Sequence, residues 1–147
     1  MNEHLQEIVD LFQSVDADMR LELLLDYARK LPPLPQRLRA ARDSDEHRVH
    51  ECQTPVFLWV EADEQERGAL AIHVEVAEEA PTVQGFASIL VHGYSGQPAQ
   101  TVAEAPADLL NQLGLSQAIR MTRTIGLSAL LARVKREAAR VAQAPAG

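Results

Sequence analysis

Residues 56–76 read VFLWVEADEQERGALAIHVEV, and the fold class turns on this stretch. From Val56 the chain is β-branched and aromatic, apolar at five consecutive positions, the pattern of a strand covered on both faces. After the turn-like DEQERG, the run ALAIHVEV alternates: Leu70, Ile72, Val74 and Val76 fall on one face, and Ala71, His73 and Glu75 on the other. A connection this short pairs the two strands as an antiparallel hairpin, because a parallel pair needs a crossover of about a dozen residues or more.

Helical patterns lie on both sides of the hairpin. Upstream, Leu5, Ile8, Val9 and Phe12 make one stripe. Behind a cap at Asp16 or Asp18, Met19, Leu23, Leu24, Tyr27, Ala28 and Leu31 make a second. LPPLP then stops that helix, because Pro32 and Pro33 lack an N–H and push the residues before them out of the α region. From Leu34 to His50 the chain reads as a polar surface loop with at most one short helical turn, and the residues just before Cys52 are candidates for a third strand. Downstream, Pro81 suits the first position of a helix whose stripe is Val83, Phe86, Ile89, Leu90 and Tyr94, ending at Ser95-Gly96.

Short helices are expected around Pro98–Ala103 and Pro106–Leu113, followed beyond Gly114 by a long one. Leu127, Leu130, Leu131, Val134, Ala138 and Val141 line one side of it, and Arg133, Arg136 and Arg140 the other. Strands clustered between helices predict an α+β fold. Residues 1–147 read as a single domain, with an N-terminal helix within 1–15, a small antiparallel sheet of about three strands packed against helices, and a flexible tail at 143–147.

A chain of 147 residues can close one core without staples, and 46% hydrophobic with 24% charged residues is the balance of a globular protein. No apolar run approaches the roughly 18 residues of a membrane span, and MNEHLQEIVDLF lacks the basic start and unbroken apolar stretch of a signal peptide. A cytoplasmic protein with no membrane partner is the expectation. The net charge of -7 is uneven: residues 1–119 hold 8 basic against 20 acidic side chains, residues 120–147 hold 6 against 1. The basic end has no aromatic residue for stacking and the remaining surface repels phosphate, so no nucleic-acid partner is expected; the basic end reads as a solvated helix face.

Chemistry is concentrated in RVHECQTPVFL, residues 48–58, which holds the only cysteine. A lone cysteine is most often a small buried hydrophobe and cannot form an internal disulfide. Cys52, however, sits at a loop-to-strand junction, where Arg48 and His50 would favour a thiolate and Glu51 would oppose it. His4, His47, His50, His73 and His92 are available as a base for a nucleophilic dyad, but no cysteine-hydrolase signature surrounds the thiol. His47, His50 and Cys52 would supply three ligands of a thiol-metal site, without an evident fourth. Sulfur transfer needs one cysteine only, and no second thiol stands by to discharge a persulfide.

RVHECQTPVFL resembles the cysteine motif of the SufE family, sulfur acceptors and activators of cysteine desulfurases in iron-sulfur cluster assembly. The likeness continues in order through LLLDYARKLPPLPQRLR, EEAPTVQGFASIL and IRMTRTIGLSALLARVK, and covers about residues 17 to 140. Glu51 stands where the family has glycine, Thr54 replaces its serine and Phe57 its tryptophan, with Trp59 two positions on. The resemblance implies a SufE/IscU-like fold with a curved sheet, and makes Cys52 the persulfide acceptor with Gln53 as its loop neighbour. By the same resemblance Arg123 supports the loop or the partner contact, Glu79 matches an acidic residue at a helix start, and Gly85 serves close packing. His50 and Glu51 flank the thiol, His50 as a solvated residue or a tuner of its charge.

The implied partners are a SufS-like, pyridoxal-phosphate-dependent cysteine desulfurase and a SufBCD-like iron-sulfur scaffold complex. This chain would hold no cofactor or metal of its own and act as a sulfurtransferase-type relay without independent turnover. The resting loop is expected to shelter Cys52 beside Phe57 or Leu58 until a partner turns it outward. The alternatives are a non-catalytic adaptor that docks on the desulfurase without accepting sulfur, and a thiol- or metal-binding domain.

Overall fold

In the computed structural model, which describes residues 2–43 and 45–143, β1 (Val56–Ala62) and β2 (Leu70–Val76) pair antiparallel, Val56 opposite Val76 and Ala62 opposite Leu70. Gly68, at φ 87°, supplies the left-handed residue that lets the connection turn back. Both faces of β1 are covered, as its apolar run requires. Val56, Leu58 and Val60 enter the main core with Leu70, Ile72, Val74 and Val76, while Trp59 and Phe57 pack with Leu34, Leu38 and Ala41 in a smaller cluster. The LPPLP segment therefore does more than stop a helix, since it leads the chain across the back of the sheet.

The third strand is reduced to a single bridge, Arg48 opposite Phe57, so the described residues form a two-stranded sheet. The ladder cannot grow in either direction. On one side Asp45–His47 is a turn of 3-10 helix, and on the other Pro55 has no N–H to donate. Residues 34–50 are also more helical than a surface loop: α3 spans Gln36–Arg39 and runs into a 3-10 turn at Ala40–Asp43.

The helical layer is built around one apolar helix. α1 (Glu3–Gln13) is capped by Asn2, whose side chain accepts from Leu5 N at 2.8 Å, and α2 (Ala17–Arg29) by Asp16, which accepts from Met19 N at 2.9 Å. Met19, counted in the second stripe, is instead 48% exposed, and α2 buries Leu24. α4 (Pro81–Tyr94) is buried continuously from Gly85 to Val91, with β2, α1, α2 and the long last helix packed around it. Its approach to α2 is so close that a Cβ on Gly85 would stand 2.3 Å from the Leu24 carbonyl oxygen.

α5 (Ala99–Ala103) follows Pro98 as expected, and α6 (Leu109–Gln112) is shorter than the expected 106–113. They lead to α7 (Met121–Gln143), which buries Leu127, Leu130, Leu131, Val134 and Ala138. Gln143 closes α7, and the rest of the expected tail, 144–147, lies outside the described residues. No described helix is long and apolar enough to cross a membrane.

Candidate functional site

The cysteine loop has a defined neck. Val49 N donates to Val56 O at 2.9 Å beside the Arg48–Phe57 bridge, which pinches residues 50–55 into a protruding loop. Within it Cys52 N donates to Val49 O at 3.2 Å, a turn that directs the side chain inward. Cys52 is 5% exposed, and its thiol donates to Gly126 O on α7 at 3.4 Å. A Cβ on Gly126 would already touch the sulfur at 3.5 Å.

The shelter thus comes from α7 and not from Phe57, which lies in the smaller cluster on the far side of β1; Leu58 shares the main core with Cys52. The alternation of the strand separates the two, since neighbouring side chains point to opposite faces.

Burial pushes the Cys52 thiol above its ordinary pKa, and the Glu51 carboxylate adds to the shift. The resting thiol is accordingly protonated at neutral pH, consistent with its donation to Gly126 O. Glu51 is exposed, so it acts on the sulfur by proximity in sequence and through its charge. Glu51→Gly is expected to move the pH midpoint of Cys52 alkylation downward, because removing a carboxylate lowers the cost of the thiolate. A rate–pH profile measured with iodoacetamide checks this: a rate that rises with its midpoint unmoved would assign the effect to loop exposure.

Beside the sulfur lies a cleft of about 240 Å³ lined by Cys52, Gln53, Thr54, Val83, Arg120, Arg123 and Gly126. Three elements meet there: the loop, the first turn of α4 and the start of α7. Arg123 Nη1 donates to Thr82 Oγ1 at 3.4 Å, which anchors the arginine to α4. Among the described residues neither Arg120 nor Arg123 has an ion-pair partner and no carboxylate lines the cleft. The lining of the cleft is therefore cationic, while the charge that acts on the resting thiol is the Glu51 carboxylate.

Gln53 and Arg123 both line the cleft beside the sulfur. His50 and Glu79 are exposed and outside the cleft lining; Glu79 sits just before α4. Arg120 is not singled out by the sequence, where its only signal is the spacing of three from Arg123 in IRMTR.

The competing chemistries do not assemble. His47 stacks on Trp59 with centroids 4.9 Å apart and its Nδ1 lies 3.2 Å from Leu58 O, so it is committed to the other face of β1. Among the described residues no three His, Cys, Asp or Glu side chains are grouped as ligands, and the set His47, His50 and Cys52 stays apart. His73 sits 3.8 Å from Glu61 and His92 Nε2 lies 3.1 Å from Lys30 O. Among the described residues no histidine lines the cleft, so none stands beside the thiol as the base of a dyad.

Comparison with known proteins places this arrangement among relatives. The SufE family model, described as an Fe-S metabolism associated domain, matches residues 6–138. An uncharacterized SufE-like protein of Mycobacterium tuberculosis is 42% identical over 132 residues, covering 90% of this chain and 89% of its own. A chloroplastic/mitochondrial SufE-like protein of Arabidopsis thaliana is 32% identical over 135 residues, which cover 91% of this chain and 34% of that larger protein. Among solved structures, the solution structure of a hypothetical protein from Thermus thermophilus superposes with a TM-score of 0.80 at 32% identity, covering 96% of this chain and 97% of the other.

Proposed function

The chain belongs to the SufE family of Fe-S metabolism, and from that premise we propose that it carries sulfur on Cys52 from a SufS-like cysteine desulfurase to a SufBCD-like scaffold in the cytoplasm. The observation that carries the reading is the union of a sheltered thiol with a cleft that has room for further atoms and two guanidinium groups without carboxylate partners among the described residues. A persulfide needs those properties. Its outer sulfur is anionic at neutral pH and reactive toward free thiols and oxidants, so it benefits from positive charge and cover.

In the transfer step Cys52 first loses its proton, which requires leaving the Gly126 carbonyl and the apolar contact that hold the thiol neutral. The thiolate then attacks the outer sulfur of the desulfurase's cysteine persulfide. A bond forms between Cys52 Sγ and that sulfur, the partner's S–S bond breaks, and the partner cysteine departs as a thiolate; no external oxidant or reductant is needed. Partner binding must favour the open loop over the closed one, because only a difference in affinity between two states can shift them.

Intact mass after incubation with an active desulfurase and free cysteine tests the proposal: Cys52 gains the mass of sulfur, and an unmodified chain would leave a docking adaptor in its place. Arg120→Ala and Arg123→Ala are each expected to slow this gain about tenfold, the equivalent of roughly one pKa unit of lost charge stabilisation. Thermal midpoints should move by no more than about 2 °C, since exposed arginines contribute little to folding. Unchanged transfer kinetics in both variants would remove the arginines from the site.

A further inference from the structure

On sequence grounds Arg133 belongs to a solvated basic face of α7, but its side chain is only 18% exposed and donates in three directions. Nη2 reaches Glu46 O at 2.9 Å, Nη1 reaches Arg48 O at 3.3 Å, and Nε reaches Glu137 Oε1 at 3.3 Å. Glu137 is also engaged by Arg140, so the anchoring carboxylate is itself held. Two of the three acceptors are backbone carbonyls of the segment that enters the cysteine loop.

We infer that Arg133 is a positioning residue for Cys52: it clasps the chain at Glu46 and Arg48 to α7, and so holds the entrance of the loop to the same helix that receives the thiol at Gly126. The loop is then held to α7 at two places, by Arg133 at its entrance and by the sulfur at its tip. The neck is closed besides by the Arg48–Phe57 bridge and by Val49 N donating to Val56 O at 2.9 Å, which tie the entrance to the start of β1.

With the clasp closed, opening is confined to residues 50–55 and returns the sulfur to one place. Without it, the entrance is tied to β1 but no longer to α7, and Cys52 samples the open state more often and less reproducibly. The planar fork of an arginine suits this task, because it can meet two carbonyls and a carboxylate at once where an ammonium cannot hold the same directions. The value of the clasp to sulfur transfer rests on the function proposed above, but the clasp itself can be tested without any transfer.

The measurement is iodoacetamide alkylation of the folded protein, unambiguous because Cys52 is the only cysteine, followed across urea concentrations below the unfolding transition. For Arg133→Ala the rate should rise about tenfold and stay flat in urea, the mark of a local opening that exposes little surface. Arg133→Lys should fall between the parent and the alanine variant, and it serves as the second probe if the alanine variant folds poorly. Arg136→Ala, an exposed arginine on the same helix, should match the parent.

A parental rate in both Arg133 variants would overturn the inference. So would an acceleration that climbs with urea as steeply as global unfolding, since Arg133 would then be a general brace of the fold. A chain that shows the local acceleration yet gains no sulfur from a desulfurase would instead count against the proposed function and leave the clasp standing.

Discussion

Cys52→Ser is expected to abolish sulfur gain from a desulfurase completely while the protein still folds. A serine hydroxyl does not ionise in the range where a thiol does and cannot form a persulfide. It can still donate to Gly126 O, the contact the thiol makes at 3.4 Å, so the buried position keeps a partner for its polar atom. Exchanging sulfur for oxygen in that slot should cost about 1 kcal/mol, seen as a fall of about 2–5 °C in the thermal midpoint with one cooperative transition. Intact mass and the thermal melt decide it together. Sulfur found on the serine variant would place acceptance elsewhere, and loss of cooperative melting would make Cys52 a structural residue.

Among the described glycines, Gly85→Ala should give the largest loss of stability. The new Cβ would lie 2.3 Å from Leu24 O and 2.8 Å from two carbons of the Leu24 side chain. A leucine side chain can turn aside, but a carbonyl of α2 cannot without moving its helix, so α2 and α4 must separate. Such overpacking costs about 3 kcal/mol, the upper part of its usual range.

The damage would also reach the site, because the first turn of α4 carries Val83, which lines the Cys52 cleft, and Thr82, which holds Arg123. Urea unfolding gives the stability change, and alkylation of Cys52 reports whether the cleft has shifted. A loss below about 1 kcal/mol would mean that the two helices adjust freely at this contact.

Much of this protein is legible along the chain because its cues are local. The alternation of ALAIHVEV places β2, the prolines place the end of α2 and the start of α4, and the apolar stripe of α7 chooses its buried face. The departures arise where neighbouring backbone chemistry cuts an element short or where distant partners decide. The third strand ends after one bridge because a 3-10 turn and a proline bound it, and Met19 faces outward although it fits a helical stripe. Spacing within a helix says which residues share a face. It does not say whether another element covers that face.

By itself, the sequence determined the α+β order, the hairpin, the family likeness and the single residue on which sulfur chemistry would have to run, since all of these follow from period, turn chemistry, motif and composition. Tertiary structure alone decided that Cys52 is sheltered by Gly126 rather than Phe57, that Arg120 joins Arg123 at the cleft, and that Arg133 turns inward to the entrance of the loop. The physical reason is separation along the chain. These contacts join residues 46–54 to residues 120–133, and only packing both segments into one core brings a carbonyl, a thiol and a guanidinium within hydrogen-bonding reach.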